Sequence, residues 1–140
     1  MSIRMGKADL TAFLDREFPQ TRGWFDIVDV TADLVRVRRK IGEEHLRPGG
    51  TVSGPTIFGL ADVAVYLATL SRIGPRALAV TTNCSIDFMR KPVADRDLLA
   101  DTRLLKLGRS LAVGDVLIYS EGLENPVARA SLTYAIPPAP

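Results

Sequence analysis

The chain has 140 residues, of which 46% are hydrophobic and 24% charged, and its formal net charge at pH 7 is +2. This length predicts one domain, residues 1–140, with a substantial apolar core, and because no dense basic block interleaved with aromatic residues occurs, we expect no nucleic-acid partner. The single cysteine, Cys84, excludes an internal disulfide framework. Because His45 is the single histidine, we expect no transition metal. The single cysteine and the lack of an apolar signal segment after Met1 indicate a cytoplasmic protein.

The N-terminal segment, residues 1–22, is expected to be helical. Apolar residues at helical spacing predict a short amphipathic lid helix over residues 7–18, closed by a proline. The apolar positions are Leu10, Phe13, Leu14 and Phe18. The segment is too short for a helix-turn-helix module. Two strands rich in β-branched residues follow, over residues 24–30 and 33–41.

A glycine-rich loop then leads into a long apolar stretch, residues 48–72, with the sequence PGGTVSGPTIFGLADVAVYLATLSR. Pro55 suits the first turn of a helix, with Ser53 or the next glycine as its cap, and a Gly-Pro pair after residue 73 marks the end. Apolar residues on all sides predict a helix surrounded by protein. A membrane span is the alternative, which we discount because Asp62 in mid-helix would be costly in lipid.

Asp62 is the only charged residue inside this apolar helix. A buried carboxylate costs free energy unless it is solvated, paired or protonated, which makes Asp62 a candidate site residue. The residues alone support equally an aspartate that has a structural hydrogen-bond role at a water-lined subunit boundary.

Four more strands are predicted after the helix, over residues 78–89, 98–107, 110–121 and 127–136, and the proline-rich tail 137–140 is expected to fray. The order of elements predicts an α+β fold in which a six-stranded antiparallel sheet wraps around one long central helix. In the first of these strands, the residues at period two that we expect to face the core are Val80, Thr82, Cys84, Ile86 and Phe88. Cys84 is then a small core residue rather than a nucleophile.

Four runs of the sequence resemble a known family: GTVSGPTIFGLADVAVYLA, AVTTNCSIDFMRKP, LLKLGRSLAVGDVLIYS and VARASLTYAIP. Together they resemble the hotdog-fold acyl-CoA thioesterases of the phenylacetyl-CoA (PaaI-like) type, over residues 24–136. In that family a His-Gly-Gly turn opens the helix and an aspartate lies nine positions after the histidine. Here Ser53 stands in the place of the histidine, and Asp62 follows at the same spacing.

The resemblance implies hydrolysis of a coenzyme A thioester with a small, medium or aryl acyl group, without a further cofactor. It places the site at the interface of a homodimer, with a dimer of dimers expected. Asp62 would be the general base or nucleophile, and backbone N–H groups at the helix start, those of Gly54 and Thr56, would polarise the carbonyl. Ser53, Pro55 and Arg47 would lie beside the substrate. Thr81 aligns with a hydroxyl residue that supports the attacking water.

The candidates for holding the coenzyme phosphates are Arg90, Lys91, Lys106 and Arg109, with Gly108 allowing close approach. The alternative interpretation of these four cations is a solvated rim. Tyr66, one turn beyond Asp62, is predicted either to donate a hydrogen bond to Asp62 or simply to pack.

Three positions depart from the family pattern. Ser53 and Pro55 replace the histidine and the second glycine, and Arg47 stands where an Asn or Gln is usual. Because proline has no N–H, one backbone donor is missing. These changes favour, as the alternative function, a hotdog protein that binds an acyl-CoA or acyl group without hydrolysing it. A hydratase of the hotdog superfamily is less favoured, because His45 does not have the expected spacing to a partner aspartate. A hydrolytic triad of Ser53, His45 and Asp62 is also less favoured, because Ser53 does not lie in a G-x-S-x-G turn.

Overall fold

The computed structural model describes residues 2–138. Two α-helices are present, α1 over Lys7–Glu17 and α2 over Gly54–Ile73. The strands are β1 (Phe25–Val30), β2 (Val35–Arg39), β3 (Leu46–Arg47), β4 (Thr51–Val52), β5 (Val80–Phe88), β6 (Leu98–Leu107), β7 (Leu111–Ser120) and β8 (Ala128–Ala135). Every predicted helix and strand is therefore confirmed to within about two residues at each end. The small β3–β4 hairpin, which precedes α2, was not predicted.

Six strands form one antiparallel sheet in the order β1-β2-β6-β7-β8-β5. Helix α2 lies across one face of this sheet and contacts β2, β5, β6, β7 and β8. The predicted architecture, a sheet curled around one central helix, is confirmed. Strand β5 forms one edge of the sheet, so along one side its backbone has no partner strand within residues 2–138.

The ends of α2 follow from local chemistry. Ser53 caps the helix, because its Oγ accepts a hydrogen bond from the N–H of Thr56 at 3.4 Å, and Pro55 stands in the first turn as predicted. Gly74 ends the helix with a φ of +90°, a conformation that favours glycine, and its N–H donates to Leu70 O at 2.9 Å.

One side of α2 is not covered by the chain itself. The sheet-facing side is fully buried, but a stripe along the opposite side remains partly exposed: Phe58, Gly59, Asp62, Val63 and Tyr66. By length and composition alone α2 could span a membrane, yet 67% of its most apolar window is buried inside the protein. Within one copy of the chain the helix is therefore enclosed on the side of the sheet and partly exposed along this stripe.

The predicted core face of β5 requires correction at its start. Val80 is 55% exposed and Thr82 is exposed, whereas Thr81 turns towards α2. The register between β5 and β8 shifts between Thr81 and Asn83, and this bulge inverts the alternation of side chains. Farther along the strand, the predicted pattern holds for Cys84 and Ile86, which pack against the core, but not for Phe88, which is 54% exposed.

The two ends of the chain are also tied to the fold. In α1 the residues Leu10, Phe13 and Leu14 are buried as predicted, while Phe18 is 38% exposed. Of the tail that was predicted to fray, Pro137 accepts a hydrogen bond from Arg76 Nη1 at 3.2 Å. Residues 139 and 140 lie outside the part of the chain that the structure describes.

Candidate active site

Asp62 is held by two hydroxyl groups. Thr81 Oγ1 donates to Asp62 Oδ1 at 2.5 Å, and Tyr134 Oη donates to the same oxygen at 2.7 Å and lies 2.9 Å from the Asp62 backbone oxygen. Thr81 and Tyr134 are direct partners across the β5–β8 ladder, so strand pairing places both donors side by side beneath the helix. Sequence analysis predicted Thr81 near Asp62, but it missed Tyr134.

This arrangement fixes one carboxylate oxygen and leaves the other available. Hydrogen bonds to a carboxylate are of the strong, charge-assisted kind, so Oδ1 is anchored in one orientation. No hydrogen bond to Oδ2 is formed within residues 2–138. Burial, and next the hydrogen bond with Asp62, raise the pKa of Tyr134, so this phenol stays protonated and acts as a donor. A half-buried carboxylate held in this way can act as a base or as a nucleophile.

Asp62 opens onto a cleft of about 360 Å³. One wall comes from the end of α1, where Glu17 and Phe18 reach the cleft, and this agrees with the predicted lid position of the helix. The rest of the lining is mainly apolar or aromatic: Val63, Tyr66, Ala77, Ala79, Val80, Thr81 and Tyr134. Such a lining suits an apolar group placed next to the carboxylate.

Tyr66 lies in this cleft but does not bond to Asp62. Its Oη donates to Ala77 O at 2.9 Å, and its ring packs 5.9 Å from the ring of Tyr134. Burial, with a smaller contribution from the charge of Glu17, raises the pKa of Tyr66 to about 12. The predicted hydrogen bond from Tyr66 to Asp62 is therefore wrong, and Tyr134 makes that bond instead.

The start of α2 offers fewer donors than the family pattern. Pro55 has no N–H, and the N–H of Thr56 is directed at Ser53 Oγ, which is itself 2.7 Å from Thr56 Oγ1. Within the described residues the N–H of Gly54 has no acceptor. Of the two predicted carbonyl-polarising residues, Gly54 and Thr56, only Gly54 thus presents an uncommitted backbone donor at the positive end of the helix.

The predicted phosphate-holding cations divide into two groups. Arg90 and Lys91 line a cleft of about 620 Å³ beside Gly54, and Arg47, which was not among those candidates, lines the same cleft. Arg109 and Gly108 line a separate cleft of about 640 Å³ at the other end of α2, and the Lys106 side chain lies beside Gly108. Because the 20 residues of α2 span about 30 Å, one protomer cannot bring the two groups to one phosphate.

Two remaining candidates do not join the site. His45 accepts a hydrogen bond from the Gly42 N–H at its Nδ1, and Arg39 Nη2 lies 3.0 Å from its Nε2, so Ser53, His45 and Asp62 do not form a triad. Cys84 is half-buried, and burial, followed by the charge of Asp62, raises the pKa of its thiol. This environment fits the predicted packing role and not a nucleophile.

The family model of the thioesterase superfamily matches residues 49–127. The chain belongs to the thioesterase superfamily. Among the curated relatives of this chain, a protein of Deinococcus radiodurans named "Putative esterase" is 36% identical over 86 residues, which are 61% of this chain and 56% of the relative. The chain thus spans about half the length of that relative. A "Putative esterase" of Pseudomonas aeruginosa is 34% identical over 110 residues, 78% of this chain and 79% of the relative.

Solved structures agree with the predicted hotdog fold. The crystal structure of a "putative thioesterase" from Silicibacter sp. TM1040 has a TM-score of 0.92 at 56% identity and covers 99% of this chain and 96% of its own. A Streptococcus mutans protein bound to acetyl-CoA has a TM-score of 0.73 at 29% identity, and the match covers 81% of this chain and 89% of that protein. The N33D mutant of the phenylacetic acid degradation protein PaaI from Thermus thermophilus has a TM-score of 0.73 at 28% identity, and the match covers 85% of this chain and 99% of that protein. The fold is confirmed, and membership of the PaaI-like branch stays a prediction.

Proposed function

We propose that this protein hydrolyses acyl thioesters of coenzyme A that carry a small, medium or aryl acyl group, with Asp62 as general base or nucleophile. The observation that carries the proposal is the carboxylate itself: its Oδ1 is anchored by Thr81 and Tyr134, and the residue faces a largely apolar cleft. The acyl group would occupy this cleft. Coenzyme A as the thiol component is supported by the similar Streptococcus mutans protein that binds acetyl-CoA.

The active site would be shared between two copies of the chain. Asp62 lies eight residues after Gly54, about 12 Å along the same helix, whereas a donor must lie about 3 Å from the carbonyl oxygen that it polarises. A single protomer therefore cannot apply both groups to one thioester. A second copy supplies the missing donor if it brings its own helix start to Asp62.

The layout of β5 gives such a pairing. Thr81, near the start of the strand, bonds to Asp62, and Phe88, at its end, lies against Gly54. When two identical edge strands pair antiparallel about a two-fold axis, the start of one meets the end of the other. Asp62 then approaches Gly54 of the partner subunit, and the exposed stripe of α2 is covered. We propose this homodimer as the functional unit, with a dimer of dimers as the further assembly.

The cations beside Gly54 would hold the coenzyme phosphates. Arg47, Arg90 and Lys91 are exposed side chains around one cleft, and in the described residues none of them forms an ion pair. Exposed charges are screened over about 10 Å at 0.1 M salt, so coenzyme A binding should weaken as salt rises. Binding that is independent of salt, or unchanged in Arg90→Gln, would leave these residues as a solvated rim.

A specific observation also favours the alternative function, a protein that binds an acyl-CoA without hydrolysing it. Only Gly54 remains as an uncommitted donor at the start of α2, since Pro55 has no N–H and Thr56 bonds to Ser53. Losing one donor to the developing oxyanion typically costs 10²- to 10³-fold in turnover. Binding of an acyl-CoA by the parent without any release of thiol would support this alternative.

The deciding experiment is a panel of acyl-CoA thioesters followed by the release of free thiol. We expect the parent to hydrolyse at least one member and Asp62→Asn to lower turnover by about 100-fold or more with binding retained, because asparagine keeps the size of the side chain and removes its basicity. The matched control is Asp15→Asn, an exposed residue of α1 outside the cleft. Equal turnover by the parent and Asp62→Asn would show that Asp62 is structural.

A further inference from the structure

A second cleft, of about 640 Å³, lies at the C-terminal end of α2, away from Gly54. Its lining includes four arginines that come from four different segments: Arg4, Arg72, Arg76 and Arg109. None of the described residues that line this arginine cleft is acidic. In the part of the chain that the structure describes, none of the four arginines forms an ion pair. Among residues 2–138, four positive charges therefore meet around one cavity without a carboxylate side chain beside them.

Arg72 is the buried member of this group, with only 8% of its surface exposed. Its Nη2 donates to Thr31 O at 2.8 Å and to Ala32 O at 2.6 Å, which fixes the guanidinium in place. Its Nη1 is also buried, yet it has no hydrogen-bond partner within residues 2–138. Burying a charged donor without an acceptor is costly, so this guanidinium at the wall of the cleft is one hydrogen-bond acceptor short.

The C-terminal end of α2, where the helix dipole is negative, does not neutralise the four arginines. A helix C-terminus carries the equivalent of about half a negative charge, and the cleft holds four positive ones. The segments that bear the arginines are also held in place: the Arg4 N–H donates to Ser71 O at 2.7 Å, and Arg76 Nη1 donates to Pro137 O. The guanidinium groups of Arg72 and Arg76 are thus positioned before any ligand arrives, which lowers the entropy lost on binding.

We propose that the arginine cleft is a binding site for a phosphate group. A guanidinium presents parallel N–H donors that match two phosphate oxygens, and a phosphate monoester carries close to two negative charges at neutral pH. Gly108 lies in the same lining, where the absence of a side chain leaves room for the anion. The sequence reasoning had singled out Arg109 and Gly108 but none of the other three arginines.

Two sources of the phosphate fit this chemistry. Arg72 lies ten residues after Asp62, about 15 Å along α2, and a pantetheine arm, about four peptide units long, extends about 14 Å. The phosphates of a coenzyme whose thioester lies at Asp62 are one source; this version rests on the proposed function and would replace the cleft beside Gly54 as the place of those phosphates. A separate phosphate-bearing ligand is the other source and requires no thioesterase activity.

The test is a calorimetric titration with inorganic phosphate, in buffers whose ionic strength is held constant with chloride. We expect Arg109→Gln to weaken phosphate binding about 10-fold or more, since one charge-assisted hydrogen bond is lost. The matched control is Arg22→Gln, which removes the same charge from an exposed arginine outside the cleft and should bind as the parent does. Arg109 is exposed in the turn between β6 and β7, so the substitution leaves the core intact; equal unfolding midpoints of the two variants verify this.

Titration with coenzyme A then identifies the source. If coenzyme A displaces phosphate and binds more weakly to Arg109→Gln, the cleft holds the coenzyme; if its binding is unchanged, the cleft serves another phosphate ligand. Both outcomes support the site. Phosphate that binds no more tightly than chloride, or equally to Arg109→Gln and Arg22→Gln, overturns it. Thiol release by the parent is measured separately, so failure of the arginine cleft is distinct from failure of the proposed hydrolysis.

Discussion

Removing a single oxygen atom from Tyr134 tests how Asp62 is positioned. In Tyr134→Phe the ring stays in its buried place, where only 4% of the residue is exposed, but the donor to Asp62 Oδ1 is lost. A hydrogen bond to a charged group contributes about 1.5–3 kcal/mol, and if Asp62 without it must be brought back to its reactive position at that cost, kcat/KM falls by about 10- to 150-fold. The remaining donor, Thr81, should prevent complete loss of activity.

The assay is thiol release from the best acyl-CoA of the panel, together with the denaturant midpoint of unfolding. We expect the activity loss to exceed the stability loss, because the deleted hydroxyl bonds to the carboxylate that we propose as base or nucleophile. Tyr119→Phe is the matched control: Tyr119 lies on β7, outside the residues that line the Asp62 cleft, and its variant should keep the kcat/KM of the parent. If Tyr134→Phe hydrolyses the substrate as fast as Tyr119→Phe, the bond from Tyr134 does not position Asp62, and our account of the site is wrong at that point.

Two further predictions concern stability. Gly114 of β7 faces α2 so closely that an added Cβ would lie 3.1 Å from Val65 Cγ1. Because Val65 is fully buried, Gly114→Ala should lower the free energy of unfolding by about 1–3 kcal/mol in denaturant titrations. An unchanged unfolding midpoint would show that the helix can move away freely. The raised pKa of Tyr66, about 12 against an ordinary 10.0, means that above pH 10 the unfolded chain loses its proton first, so stability should fall between pH 10 and 12. Tyr66→Phe should flatten this fall, and equal slopes in parent and variant would count against the burial of the phenol.

The elements of this fold could be predicted because their signals are local. The cap at Ser53, the Gly-Pro stop after α2 and the alternation of apolar residues along β6 and β8 each act within a few residues. The side chain at the centre of the site was also predictable, because a lone carboxylate in an apolar helix is unusual wherever that helix packs. The fold and Asp62 therefore follow from the sequence.

The parts that failed depend on strand register and on distance along the helix. A single bulge after Thr81 turned Val80 outwards, and no local pattern marks that extra residue. Tyr134 reaches Asp62 only because it pairs with Thr81 across two strands that are far apart in sequence. The cations at positions 90 and 109 looked equivalent as charges, but the length of α2 separates their two clefts.

The shared active site can be tested by mixing two inactive variants. Asp62→Asn removes the base, and Gly54→Pro removes the one uncommitted donor while placing proline at a helical position that tolerates it. If Asp62 of one protomer works with Gly54 of the partner subunit, a heterodimer of the two variants contains one site with both lesions and one intact site. After random exchange of equal amounts, thiol release should recover to about one quarter of the parent rate, since half of the dimers are then heterodimers with one working site. No recovery, with heterodimers verified by mass spectrometry, would contradict a site that is shared between subunits.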